Sequence, residues 1–190
     1  MIIGLTGGIG SGKSSALDAL KKNGYETISC DEITAGLYRR HRTLKALRKE
    51  FPSAIKGKLF LKADKKEISR IVFSDKNKYA FLTEYLTEET FKKAMARAKK
   101  LKGTVIVEVP LLFENDLQDA FDKVIVITRE KAARINAVKA RSNLSEQEIA
   151  ARINAQFDYD KKDLSAFTVI KNDGEKSDLA AAVIKAVKEF

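Results

Sequence analysis

GGIGSGKS, Gly7 to Ser14, lies between the apolar run Met1-Ile2-Ile3-Gly4-Leu5 and a helical pattern that opens at Ser14. It satisfies the phosphate-binding template G-x-x-x-x-G-K-[ST] at every fixed position, through Gly7, Gly12, Lys13 and Ser14. Such a loop turns sharply from strand to helix while its backbone N–H groups converge on an oxyanion, and side chains larger than hydrogen would obstruct it. Gly7, Gly8, Gly10 and Gly12 meet that demand. The helix that follows aims its unsatisfied N–H groups and positive dipole end at the loop, where they favour bound phosphate. Nucleotide phosphates are thus expected on Gly8, Ile9, Gly10, Ser11 and Gly12, with Ser15 beside them in the first helical turn. Lys13 would place a charge near the β- and γ-phosphates, and the Ser14 hydroxyl would be a ligand of Mg²⁺. A glycine-rich turn that binds nothing is the competing reading, and the flanking strand and helix argue against it.

Outward from this loop, the first helix carries Ala16, Leu17 and Leu20 on one face and meets a stop at Gly24. Tyr25 to Cys30 reads as a second short strand. It delivers Asp31 at its carboxyl end, where ligands bind in open parallel sheets. Asp31 is a candidate base or metal-shell ligand, and also a candidate helix N-cap for Glu32 onward. Ile33 to Phe51 reads as helical and basic, broken near His41-Arg42-Thr43, and Pro52 to Asp64 as a loop or small hairpin. From Lys65, the residues Ile68, Ile71, Val72, Tyr79, Leu82 and Leu86 recur at helical spacing, which predicts two helices that cover the sheet.

Gly103 ends that region, and Thr104 to Val109 is a β-branched run leading into Pro110-Leu111-Leu112-Phe113-Glu114. Glu108, near its end, is either a carboxylate for a metal shell or a strand-end residue reaching solvent. Lys123 to Thr128 is a further strand and Arg129 to Ala140 a helix. Ser145 and Glu148 have the capping-box spacing ahead of another helix. Phe167 to Lys171 is the last strand and Ser177 to Phe190 the last helix. This alternation predicts an α/β fold with a parallel sheet of about five strands and helices on both faces. Arg129, Arg134 and Arg141 form a basic series after the fourth strand. In phosphoryl transfer, cationic side chains on a mobile lid neutralise charge on the moving group. Arg141 is favoured for that task because it precedes a loop, whereas Arg129 and Arg134 read equally as helix-surface charges.

A chain of 190 residues can bury one sizeable core. No stretch approaches the roughly 20 apolar residues of a membrane span, and no secretory leader is visible ahead of Ile2. The lone Cys30 excludes an internal disulfide, and the absence of a Cys/His cluster argues against structural zinc. A cytoplasmic location is the expectation. The net charge of +10 is unevenly placed: eleven Lys and Arg residues lie between Arg39 and Lys66, opposed only by Glu50 and Asp64. Such a field attracts a polyanion, which could be nucleic acid, a membrane surface or a phosphorylated metabolite. Two function classes therefore compete, a kinase of a small acceptor and a nucleic-acid-binding ATPase. No recognisable nucleic-acid module accompanies the cluster, and no N-K-x-D motif supports a GTPase.

Five segments occur in the order and spacing of one family: LTGGIGSGKSS (Leu5 to Ser15), Cys30-Asp31-Glu32-Ile33, VPLLFE (Val109 to Glu114), Arg141 to Gln156, and Asn172-Asp173-Gly174. In these the chain resembles the dephospho-coenzyme A kinases over essentially its whole length, and VPLLFE at this distance from a phosphate loop is the more specific part. The resemblance implies a single three-layer P-loop kinase domain. Its core would cover roughly residues 1–61 and 103–190, with a coenzyme A-binding helical region at roughly 62–102 and a lid at roughly 137–149. It implies transfer of the ATP γ-phosphoryl group to the ribose 3′-hydroxyl of dephospho-coenzyme A, with Mg²⁺ and with no nucleic-acid or membrane partner. Asp31 matches the family's base, Lys13 and Arg141 its catalytic cations, and Asn172 a position near the adenine of ATP. Thr87-Glu88 stands where the family has His-Pro, Ser29 opens its Asp-x-Asp, Ala137 replaces a lid arginine, and Lys65 replaces an acceptor-region arginine. Lysine at that last position keeps charge but loses bidentate phosphate recognition.

Overall fold

The computed structural model describes residues 1–142, 144–159 and 161–190. In chain order the elements are β1 (Ile2–Gly7), α1 (Lys13–Lys22), β2 (Glu26–Ser29), α2 (Cys30–Leu37), α3 (His41–Glu50), β3 (Ile55–Lys56) and β4 (Lys62–Ala63). They continue with α4 (Lys65–Ser74), α5 (Lys76–Ala98), β5 (Val105–Glu108), β6 (Lys123–Thr128), α6 (Lys131–Lys139), α7 (Glu146–Asn154), β7 (Thr168–Lys171) and α8 (Lys176–Lys188). The chain divides into two compact units, one of residues 1–29 with 98–190 and the other of residues 30–97.

The first unit is built on a five-stranded sheet in the order β2-β5-β1-β6-β7, with every pairing parallel. Parallel strands are covered on both sides and so read as continuous apolar runs; Val124 to Ile127 are all buried. β1 is central, between β5 and β6. The chain leaves β1 toward one edge and later returns to build the other, which opens a crevice at the carboxyl end of β1. The loop Gly7 to Ser14 starts at that end. On one face, Ile3, Leu5, Ile106, Ile125 and Ile127 pack against Leu17 and Leu20 of α1 and Leu179, Val183 and Val187 of α8. On the other, Gly4 leaves room for VPLLFE: a Cβ there would stand 3.0 Å from Phe121 and 3.3 Å from Leu112. Phe113 of the same segment packs against Phe157 at 4.8 Å and Phe167 at 5.0 Å between ring centroids. α1 ends where Gly24 turns to φ 85°, with the Tyr25 N–H reaching back to the Leu20 carbonyl at 3.2 Å, the wrap of a glycine helix stop.

The second unit has its own core, formed by Leu44, Leu47, Phe51, Ala54, Ile55 and Ile68, with Phe81, Leu82 and Tyr85 against it. The spacing of Ile68, Ile71, Val72 and Leu82 predicted helices that cover the sheet; these residues instead converge on this second core. Tyr79, placed on the same apolar stripe, is 57% exposed. Pro52 to Asp64 contains the short antiparallel hairpin β3–β4. Asp64 caps α4 by accepting the Glu67 N–H at 3.2 Å, and Lys78 closes α3 by donating to the Glu50 carbonyl at 2.6 Å. α2 begins at Cys30, two residues earlier than an Asp31 N-cap would require. The Thr34 hydroxyl returns to the Cys30 carbonyl at 2.9 Å, a bond to the fourth residue back that marks Cys30 as already helical, so Asp31 lies in the first turn. Among the described residues no helix is long and apolar enough to cross a membrane.

Candidate active site

The loop at the end of β1 holds the conformation its glycines were read for. Gly10 has φ 78° and Gly12 φ 107°, both in the left-handed region. The same glycines serve a second purpose, because later parts of the chain press on the loop from outside. A Cβ on Gly8 would stand 2.3 Å from Arg134 Nη2, one on Gly10 2.5 Å from the Arg134 carbonyl oxygen, and one on Gly12 2.4 Å from Asn172 Nδ2. Lys13 folds back over the loop, its Nζ donating to the Gly7 carbonyl at 2.6 Å and the Gly8 carbonyl at 3.1 Å. That anchorage holds an ammonium at the loop mouth.

Three side chains from distant sequence fix the loop backbone. Gln156, just after α7, accepts the Ile9 N–H at 2.7 Å, and Arg134 of α6 donates from Nε to the Ile9 carbonyl at 3.0 Å. Both backbone polar groups of Ile9 are thus held, while its side chain packs against Val138, Ile149 and Ile153 of α6 and α7. Asn172, after β7, donates from Nδ2 to the Ser11 carbonyl at 2.7 Å. Arg134, which the sequence left open as a surface charge, is 5% exposed and lies against the phosphate loop. Gln156 belonged to a stretch quoted for its resemblance, but neither its spacing nor its residue type pointed to the loop.

Glu108 does not reach solvent: it is 4% exposed at the carboxyl end of β5, and the Ser14 hydroxyl lies 3.5 Å from its Oε1, the long limit of a hydrogen bond. A hydroxyl and one carboxylate are hard oxygen donors of the kind Mg²⁺ accepts while it keeps phosphate oxygens and waters as its other ligands. Among the described residues no group of three or more His, Cys, Asp or Glu side chains could hold a metal alone. Beneath the loop, Thr6 donates to the Val109 carbonyl at 2.9 Å. Burial pushes the neighbouring Tyr159 hydroxyl up to about 12, against the opposing hydrogen bond with Thr6.

The residues singled out from sequence divide into three groups. Gly8 to Ser15 and Asn172 come together around the end of β1. Arg141 is exposed in the turn after α6, its N–H bonded to the Val138 carbonyl at 3.1 Å, seven residues from Arg134 and so roughly 10 Å further along the helix direction. Asp31 belongs to the second unit, exposed in the first turn of α2 and two residues beyond the carboxyl end of β2.

A strand, a glycine loop and a helix N-terminus with one ammonium at the loop mouth form a site for nucleotide phosphates, and comparison with known proteins agrees. The family model for dephospho-CoA kinase matches residues 1–178. A dephospho-CoA kinase of Thermobifida fusca is 34% identical over 196 residues, covering 99% of this chain and 95% of its own. A crystal structure from Thermus thermophilus superposes with a TM-score of 0.82 at 31% identity, covering 100% of this chain and 97% of that one. The dephospho-CoA kinase from Campylobacter jejuni gives 0.74 at 26% identity, covering 99% and 96%. The P-loop fold, the site at the end of β1 and these full-length similarities agree, and the chain belongs to the dephospho-CoA kinase family.

Proposed function

We propose that the protein transfers the γ-phosphoryl group of ATP to the ribose 3′-hydroxyl of dephospho-coenzyme A, giving coenzyme A and ADP in the cytoplasm. Kinases of this family use ATP as a substrate. The observation that carries the reading is the phosphate loop, its Lys13 ammonium anchored at the loop mouth, within a chain that matches the family along almost its whole length. In this scheme the loop from Gly8 to Gly12, with Ser15, receives the nucleotide phosphates, and Lys13 compensates charge on the β- and γ-phosphates. Asn172, tied to the Ser11 carbonyl at 2.7 Å, lies near the adenine. Ser14 and Glu108 would hold Mg²⁺, which when bound neutralises phosphate charge and fixes the phosphates for in-line transfer. Asp31 accepts the proton of the attacking hydroxyl, and Arg141, in the turn between α6 and α7, closes over the transferred group. Residues 62–102 supply acceptor contacts. Little covalent chemistry falls to the protein, so positioning and charge compensation lower the barrier.

A second reading keeps the kinase and changes the acceptor. Lys65 in place of an arginine, and Thr87-Glu88 in place of His-Pro, alter the region expected to contact it. ADP release from purified protein and Mg-ATP, measured against dephospho-coenzyme A and a panel of nucleosides and nucleotides, decides between them. Turnover confined to dephospho-coenzyme A supports the first reading. Turnover with a nucleoside at comparable kcat/KM, and none with dephospho-coenzyme A, removes it.

A further inference from the structure

The β3–β4 hairpin presents apolar residues to water between lysines. Ile55 at its base is 1% exposed and, with Leu61 and Ala63, anchors the ribbon in the second core. Between the strands the chain turns at Gly57, with φ 95°, so tightly that a Cβ there would lie 2.1 Å from the Phe60 carbonyl oxygen. Beyond that turn Leu59 is 76% exposed and Phe60 79%. Lys56 and Lys58 precede them and Lys62 follows, all exposed. Lys56, Lys62, Lys65 and Lys66 line an open depression of about 500 Å³ at the hairpin base. The one carboxylate there, Asp64, is already engaged by Lys56 at 2.9 Å.

We infer that this hairpin docks the protein on the surface of a bilayer rich in anionic phospholipid, with Leu59 and Phe60 entering the interface and the lysines meeting the headgroup phosphates. Lysines flanking exposed large apolar side chains are the pattern of interfacial attachment, in which apolar insertion and attraction to anionic lipid act together. A second copy of the chain is disfavoured by like charge, since each carries +10. Two adjacent side chains at a ribbon tip cover far less area than the roughly 800 Å² per partner of a stable protein interface. Single-stranded nucleic acid is held on successive aromatic stacking platforms, and the tip offers one ring only, Phe60, beside the aliphatic Leu59. This attachment is peripheral: Leu59, Phe60, Lys56 and Lys58 lie outside the residues 62–102 to which acceptor contacts are assigned, while Lys62, Lys65 and Lys66 are shared with that region.

The chain has no tryptophan, so Phe60→Trp places a single indole at the tip. Full-length protein is mixed with vesicles of phosphatidylcholine and phosphatidylglycerol, and separately with phosphatidylcholine alone. On the anionic vesicles the emission shifts to the blue and is quenched by brominated acyl chains, and on the neutral ones it does neither. Without that substitution, Leu59→Ser with Phe60→Ser lowers the vesicle partition coefficient about tenfold, and Lys58→Gln with Lys62→Gln lowers it comparably. Phe73→Ser, which alters an 86% exposed phenylalanine at the other end of α4 from Lys65, leaves it unchanged. Sedimentation with anionic vesicles without a blue shift would show attachment by charge elsewhere and overturn the inference. So would an equal loss from Phe73→Ser, or binding to a polythymidine oligonucleotide that depends on Leu59 and Phe60 while vesicles are ignored.

Discussion

Gln156 accepts the Ile9 N–H at 2.7 Å across 147 residues of sequence, and Arg134 donates to the carbonyl of the same residue at 3.0 Å, so both peptide units that flank the Ile9 Cα are held. The phosphate loop therefore does not hold its shape through glycine alone. Glycine permits the conformation, and Gln156 with Arg134 selects it, so that nucleotide binding does not also have to order the loop. The packing of Ile9 between α6 and α7 couples those helices to the loop.

Gln156→Leu tests this selection. It leaves the Ile9 N–H without its acceptor, a loss of about 1–3 kcal/mol for a part-buried group. ATP affinity measured by calorimetry is expected to fall about tenfold, while the KM for dephospho-coenzyme A changes little. An equal rise in both constants would mean that Gln156 supports the fold generally and does not set the loop.

Gly10→Ala separates the glycine's two duties. With φ 78° the position is strained for any side chain, and the new methyl would meet the Arg134 backbone oxygen, which no rotamer change can move. A strain cost of about 1–3 kcal/mol follows, seen as roughly 3–10 °C in Tm without ligand. Gly24→Ala, at φ 85° but with open space around the added Cβ, isolates the conformational part. Equal losses of Tm from the two variants would show that the Arg134 contact adds nothing.

The loop was legible because a backbone that must approach phosphate writes its demand as glycine at fixed spacing, whatever surrounds it. The central strands β5, β1 and β6 were legible for a related reason: burial on both faces leaves runs such as Val124 to Ile127 with no polar interruption, whereas the edge strands β2 and β7 bury only Ile28 and Ile170. Arg134 and Gln156 were not, because each is recruited by a partner more than a hundred positions away and nothing local distinguishes it from a solvated helix residue. Glu108 stood between two readings because strand alternation does not say what covers a carboxyl end. The spacing of Ile68, Ile71 and Val72 marks an apolar face, of which Ile68 is buried and the other two partly so, but helical spacing carries no information about which core receives them.

Tyr159 links the region beneath the loop to alkaline stability. Burial first, and then the Glu114 charge, raise its hydroxyl from the ordinary 10.0 to about 12. Because the folded value lies above the unfolded one, the stabilisation is complete below the unfolded pKa. It is lost as pH rises from about 10 through about 12, by an amount on the order of 2 kcal/mol. Tyr159→Phe should flatten the fall of Tm over that range, and ultraviolet titration should lose its last-ionising tyrosine. Loss of amplitude near pH 10 instead of near pH 12 would place Tyr159 among the ordinary tyrosines.

Asp31 has two separable contributions, which its position in the first turn of α2 makes explicit. A carboxylate there favours the helix through the dipole, an effect of about 0.3–1 kcal/mol at an exposed site. As the proposed base it would instead act on the rate. Asp31→Asn keeps the shape and removes both the charge and the basicity. The dipole part predicts a fall in Tm of at most a few degrees, and the base role predicts kcat lower by roughly 10² or more with ATP affinity within about twofold of wild type. Asp31→Glu restores charge to the first turn but moves the carboxylate by a methylene, so it should recover Tm more fully than kcat. A variant series in which kcat simply follows Tm would assign Asp31 to the helix and leave the hydroxyl proton to another acceptor.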